Sequence, residues 1–524
     1  MKKIYSLLLM ALIAIGAQAQ TANKNISLRL SGERTLLPNQ NAVRFHNTAE
    51  QPANMLRKFM KNAPRKATAQ DLEGEAIIWG QNALYGPTYA GTSLTITAVN
   101  SNTISLSNIT PDATNAITAT VDLTNMTVSV PGGQVILNSQ TYGDIVFAKY
   151  DETNKVIDLT SPITGTIDEY GQITFTGLVG EAIKSGEDAG AIYRTFYSKP
   201  SIIYTNGKMD VIDLDNGNLS YNVAIFQTDD NVTNNEYTVV NFGNYGQPVV
   251  IEMVEDNKIQ IQSQVMLGYG DSSSETLYET MAANWTTNRL VSFVIEGTRT
   301  ATQFAWSDWT AGYYNGTNYS IEGRYSDTKL YFTTDEQFVY NEIPDVEAVP
   351  ANPEILEAER FADGVNSDGD YGYFAFVIPK VDIDGNLLKT SKLSYSLYSK
   401  VGTTESIITF QKTLYPELEK MKMTVIPYSF TGENFVDGGS YKVVYIRFNI
   451  DDYDAIGVKS IYEGGGGKNE SDIVWYDFAS AGIAPVIKNG EVGNGAIYSI
   501  DGRRLNEVPA KGLYIQNGKK YIAK

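Results

Sequence analysis

The chain contains no cysteine and a single histidine in 524 residues. Without cysteine there are no disulfides, no thiolate metal centres and no thiol nucleophile. The one histidine, His46, sits in a basic stretch near the amino terminus. A Ser-His-Asp triad or a histidine zinc site therefore cannot be assembled in the body of the protein. Long hydrophobic runs are also scarce. The longest, from Ile4 to Ile15, is too short for a helix across a bilayer core of ~30 Å, which needs about 20 residues. Helical periodicity is nearly missing, and basic residues are outnumbered, 41 Lys and Arg against 60 Asp and Glu.

What is present begins with an export signature. Lys2 and Lys3 precede the apolar run, and Gly16-Ala17-Gln18-Ala19 supplies a small-x-small cleavage site before Gln20. These are the three parts of a secretory signal peptide, residues 1–19. The expected address is outside the inner membrane: secreted, at the outer cell surface or in the periplasm. Charge is uneven. Residues 20–70 carry +7, residues 483–524 carry +4, and the body between them carries −32. An acidic body repels nucleic acid and anionic membranes, so neither is an expected partner.

Residues 20–70 read as a basic leader and linker. After Asp71 the texture turns to short alternating runs such as Ser93-Leu-Thr-Ile-Thr, Thr103-Ile-Ser-Leu-Ser and Thr127-Val-Ser-Val, broken by turn residues. Period-two alternation puts one side of each strand on a core and the other in water. The segment Asp168 to Gln172 reads as a hairpin turn. The fold class is all-β.

A tandem repeat organises the first two modules, residues 71–200 and 201–345. Thr103-Ile-Ser-Leu-Ser aligns with Thr238-Val-Val-Asn-Phe, Thr120-Val-Asp-Leu with Val250-Ile-Glu-Met, and Tyr142-Gly-Asp with Tyr269-Gly-Asp. The offset stays near 130 residues and then grows to 158 where Ile163-Thr-Gly-Thr is set against Ile321-Glu-Gly-Arg. The second module is thus expected to carry an insertion that contains Trp306. Either a barrel or a sandwich fits the pattern. Beyond the proline-rich linker Pro344 to Pro353, seven short strands in residues 346–482 suggest an immunoglobulin- or fibronectin-like sandwich. Residues 483–524 form a small β segment with hairpin turns at Asp501-Gly502 and Asn517-Gly518.

That tail resembles the carboxyl-terminal signals of exported Bacteroidetes proteins, through Tyr498, Ile500, Gly502, Arg503 and Leu505, then Lys511 to Ile515, Gly518 and Lys519. The resemblance is to the sorting domain of type IX secretion cargo. It implies outer-membrane export machinery as a partner. The third module, with Val381-Asp-Ile-Asp-Gly-Asn, Ile426-Pro-Tyr-Ser-Phe and Ile456-Gly-Val-Lys-Ser-Ile-Tyr, is similar to a domain of secreted multi-domain β proteins in the same group. Neither resemblance implies an activity.

Candidate chemistry is sparse. Gly464 to Gly467 before Lys468 lacks the first glycine and the Ser/Thr of a phosphate loop and reads as a hairpin loop. Asp382-x-Asp384-Gly-Asn386 and the run from Asp363 to Asp370 are rich in oxygen but lack calcium-loop spacing, so Asp-Gly turns explain them and no metal or cofactor is expected. No carboxylate pair stands out for glycoside hydrolysis. The most unusual segment holds Trp306, Trp309, Tyr313, Tyr314 and Tyr319, two of the five tryptophans and three tyrosines within fourteen residues. Aromatic rings with a polar edge suit stacking on sugars or protein surfaces. The expected function is a secreted or cell-surface binding or adhesion protein that recognises an extracellular glycan or protein through these rings. The alternatives are a hydrolase of extracellular polymers and a structural surface component.

Overall fold

A computed structural model describes residues 68–478, apart from 83–87, 152, 155, 228–234, 245–247, 256, 262–264, 271–275, 283, 287–288, 293, 315–318, 362–363, 366–368 and 440, together with four short tail strands between Ile497 and Ala523. The expected signal peptide, nearly all of the leader, Asp363, Asn366, Asp368 and, in the sorting-like motif, Ile500, Gly502, Arg503, Lys511 and Gly518 lie outside the described residues. The protein is all-β, and its sheets are almost wholly antiparallel.

The first module has twelve strands. They are β1 (Gly74–Asn82), β2 (Thr88–Asn100), β3 (Thr103–Ser107), β4 (Ile117–Asp122), β5 (Thr127–Val130) and β6 (Val135–Ser139). Then come β7 (Gly143–Asp151), β8 (Val156–Asp158), β9 (Ile163–Ile167), β10 (Ile173–Phe175), β11 (Leu178–Ile183) and β12 (Ile192–Tyr204). Eight of them run in the order β1-β2-β3-β4-β5-β9-β10-β12, and β12 pairs back onto β1. The sheet is a closed barrel. At eight strands the interior is just wide enough for side chains to fill. Alternation supplies them: Ile117, Ala119 and Val121 point in from β4, and Ile163 and Ile167 from β9. The remaining strands form a flap on β12, in the order β11-β7-β6 with β8 also on β7. One flap face, with Ile136, Ile145, Phe147, Val179 and Ile183, joins the barrel core and closes it.

The second module repeats the plan. Its strands are β13 (Gly207–Asp213), β14 (Gly217–Gln227), β15 (Glu236–Val240), β16 (Val249–Val254), β17 (Lys258–Ile261) and β18 (Val265–Gly270). They continue as β19 (Thr276–Ala282), β20 (Asn284–Thr286), β21 (Arg289–Ser292), β22 (Ile295–Arg299), β23 (Gln303–Tyr314) and β24 (Tyr319–Phe332). The ring is β13-β14-β15-β16-β17-β22-β23-β24, closed by β24 on β13. Each ring is thus five consecutive strands, an insertion, and three more, with β11 of the first module also leaving its ring before β12. In this order β3 and β4 correspond to β15 and β16, the pairs the sequence alignment had joined. Strand β9 corresponds to β22, so Ile163-Thr-Gly-Thr matches Ile295-Glu-Gly-Thr rather than Ile321, and the offset does not grow. The insertion is β18 to β21. Trp306 belongs to a barrel stave and not to an excursion.

The barrels join through only Thr205 and Asn206. The Asn206 side chain is fixed on barrel two, where Oδ1 accepts from the Ile225 N–H at 2.7 Å and Nδ2 donates to the Ile225 carbonyl at 2.9 Å. Ile77, Trp79 and Ile203 on the outside of the first barrel bury against Ala224, Phe226 and Val240 on the outside of the second. An apolar joint of this kind excludes water and resists hinge motion.

The third module places two sheets face to face. Its strands are β25 (Glu354–Arg360), β26 (Gly372–Val377), β27 (Leu393–Val401), β28 (Thr404–Ile407), β29 (Phe410–Gln411) and β30 (Lys422–Met423). The rest are β31 (Ile426–Pro427), β32 (Phe435–Asp437), β33 (Lys442–Ile446), β34 (Ala455–Tyr462), β35 (Asn469–Glu470) and β36 (Val474–Asp477). One sheet runs β25-β26-β33-β32 and is extended by β21 and β20 from barrel two. The other runs β28-β27-β34, with β36 and β35 on β34 and β31 on β27. Phe374, Phe376, Val444 and Ile446 from the first meet Leu393, Leu397, Ile456 and Val458 from the second in one core.

Candidate functional site

The exposed aromatic platform expected at Trp306 and Trp309 does not form. Both indoles are buried, 2% and 1% exposed. Three residues apart on a regular strand, they would face opposite sides. The structure brings both inward by a change of phase. Phe304 and Trp306 alternate inward, Ser307 and Asp308 both face solvent, and Trp309 and Ala311 resume one residue later. On the neighbouring stave Asp327 takes φ 45°, and the register with β13 shifts between Asp210 and Ile212, the signature of a bulge. Trp309 stacks on Tyr325 with centroids 4.1 Å apart, and its Nε1 donates to Thr328 Oγ1 at 2.8 Å. Trp306 meets Phe242 edge-on at 5.7 Å. These rings fill the second barrel. Tyr313 and Tyr314 lie at the end of β23 and Tyr319 at the start of β24, with their side chains outside the described residues.

The described tryptophan that is not buried is Trp475. Trp79, Trp306 and Trp309 are core residues, and the side chain of Trp285 is outside the described residues. Trp475 lies on the outer face of the second sheet of module three, in a row that crosses four strands. Ile407 on β28 pairs with Tyr398 on β27, Tyr398 with Gly457 on β34, and Gly457 with Trp475 on β36. Glycine at the centre is what lets the row close up. A Cβ at Gly457 would come within 2.7 Å of the Trp475 ring, so the indole lies across bare backbone. It meets Tyr398 edge-on, with centroids 6.5 Å apart at 72°. The two rings therefore form a shallow corner, half-buried at the base, with Ile407 exposed beside it.

Lysines and carboxylates border the corner in pairs. Lys400 Nζ stands 5.4 Å from the centre of the Trp475 ring and bonds Glu405 at 3.1 Å. Lys459 Nζ lies 5.1 Å over Tyr398 and is bonded to Glu470. Burial pulls the Lys459 ammonium down, but hydrogen bonds to Glu470 and Tyr398 outweigh it and hold the group above the ordinary lysine range. Each cation on the row is matched by an anion. The face therefore offers apolar ring surface, donors and acceptors without a large net field. Aromatic surface with polar edges of this kind suits stacking on a sugar ring or on a protein surface.

Of the carboxylates in the run Asp363 to Asp370 only Asp370 is among the described residues, buried with Oδ1 3.9 Å from Arg447, and the remaining candidates are turns. Asp382 Oδ1 accepts from the N–H groups of Asp384 and Asn386, which ties up the carboxylate in its own loop. In the glycine-rich loop, Gly465 N–H donates to Asp345 at 2.9 Å, and Glu347 packs against Gly465 and Gly467. Two carboxylates at that place repel phosphate. Asp168 accepts from the N–H groups of Tyr170 and Gln172 and forms the hairpin turn read from the sequence. No family model, curated protein or solved structure matches the chain.

Proposed function

We propose that the protein is an extracellular carbohydrate-binding protein of the adhesion type, and that the Trp475 row of module three is its ligand face. The observation that carries this reading is the four-strand row itself: two aromatic rings meet over a glycine on an open sheet face, bordered by paired charges. Core packing does not require this arrangement, because the opposite face of the same sheet supplies the core. The export signal at the amino terminus and the sorting-like tail support delivery to the outside, where glycans are the abundant polymers. The strand order of module three, β25-β26-β33-β32 against β28-β27-β34-β36, supports an immunoglobulin-like topology for this unit.

A glycan array probed with residues 20–524 tests the reading. Retention of at least one glycan class is expected. The double variant Trp475→Ala, Tyr398→Ala should lose the signal for at least one glycan class while nearly keeping its melting temperature, since neither ring belongs to the core of module three. A variant that binds as well as the parent overturns the proposal.

A further inference from the structure

The flap of barrel one carries a second constellation at its surface, seated on the rim of the core through Tyr193. Three segments distant in sequence converge there. The turn between β6 and β7 presents Tyr142, 45% exposed, and Ser139 Oγ fixes this turn by accepting the N–H groups of Thr141 and Tyr142. The start of β12 presents Tyr193 and Arg194. The loop between β3 and β4 presents Asp112. Tyr142 and Tyr193 meet edge-on with centroids 5.9 Å apart. The Arg194 guanidinium stands 5.2 Å over the Tyr193 ring and bonds Asp112 at 2.8 Å. Although paired, the Arg194 side chain remains 63% exposed. Beneath it, the fully buried Glu181 carboxylate accepts the Thr195 N–H at 3.1 Å and anchors the strand that carries both residues.

We propose that this flap tip is a second sugar-binding site, taking one pyranose ring of a neutral glycan. An exposed tyrosine supplies the stacking surface. The Arg194–Asp112 pair supplies donors and an acceptor side by side, the complement of two neighbouring hydroxyls, and its matched charges give no reason to select an anionic sugar. The site shares no residue with the Trp475 row and stands on different strands of a different module, so it does not rest on that reading.

Calorimetric titration of residues 20–524 with cello-, xylo-, manno- and chito-oligosaccharides tests it. The Tyr142→Ala and Arg194→Ala variants are the probes, because both side chains are exposed and folding should survive. At least one of these oligosaccharides is expected to bind the Trp475→Ala, Tyr398→Ala chain, with affinity that falls about tenfold or more in each flap variant. If neither flap substitution changes binding, or if the row variant retains none, the flap site is overturned. Loss of binding in the row variant alone leaves the first proposal standing. A signal that depends only on the flap leaves the second.

Discussion

Gly165 and Gly297 occupy equivalent places in the two barrels, and each is held there by the same close approach. A Cβ on Gly165 would stand 2.4 Å from the Thr174 carbonyl oxygen, and one on Gly297 would stand 2.5 Å from that of Ala305. Both residues are the third of their strand, β9 and β22, and both face the next stave of their ring. The shared contact is independent of side-chain similarity, since Thr174 and Ala305 approach with backbone alone. A common constraint on ring closure explains why Ile-x-Gly-Thr recurs where little else is identical.

Replacing either glycine by alanine should therefore strain its barrel. Overpacking of this kind costs about 1–3 kcal/mol. Urea unfolding of Gly165→Ala and Gly297→Ala, each compared with the parent, checks it. Equal stability of both variants would remove the steric argument for the repeat.

The tryptophans should separate into two kinds. Trp309→Ala removes a buried indole, its stack on Tyr325 and its bond to Thr328, a change that costs about 3–5 kcal/mol. Trp475→Ala should leave the melting temperature nearly unchanged. Differential scanning calorimetry of the two variants reads the contrast directly.

Much of this organisation was legible in the residues and some was not. Alternation revealed the strands, and the pairs β3 with β15 and β4 with β16 could be aligned because β3, β4 and β16 alternate plainly, although β15 is buried on both faces. The barrel closure is invisible locally, since it joins β1 to β12 and β13 to β24 across a whole module. The inward direction of both indoles of β23 is not legible locally, because a bulge at Asp327, on another strand, changes which side faces the core. Trp475 passed unnoticed for the opposite reason. Its strand neighbour Tyr476 turns to the core, and its partners Tyr398 and Gly457 arrive through pairing across the sheet. The available signal was Gly457 inside the strand Ala455–Tyr462, where a missing side chain marks close approach.

Barrel two and module three are clamped by charge. Lys380 Nζ lies 2.8 and 2.7 Å from the two oxygens of Glu252 on β16, and Glu255 accepts the Ser391 N–H at 2.7 Å. Burial alone would lower the Lys380 ammonium, but the Glu252 charge and hydrogen bonds keep it raised above the usual lysine range. Glu252→Gln should weaken the clamp by about 1–3 kcal/mol, because it leaves the cation poorly compensated. Limited proteolysis in the segment Pro344 to Pro353 is the readout, with faster cleavage expected in the variant.

The pH dependence of stability should carry a contribution from Glu181 with a sign opposite to that of the turn aspartates. Burial raises the Glu181 carboxyl above its ordinary value of 4.5, and nearby Asp112 adds to this, against the polar neighbour Thr110, the hydrogen bond from the Thr195 N–H and the charge of Arg194. The folded protein therefore holds this proton where the unfolded chain has released it. Stability from this group is present at acid pH and falls as pH rises through the folded value. Asp122, Asp151 and Asp158 behave in reverse. Hydrogen bonds from their own turns lower them, so their stabilisation is lost as pH falls. The whole-protein profile sums both trends, which makes a variant the cleaner measurement. Glu181→Gln keeps an acceptor for the Thr195 N–H and never ionises. Its melting temperature relative to the parent should be lowest in acid and rise steadily above pH 4.5. A difference that stays constant across that range would show that the folded environment leaves Glu181 at its ordinary value.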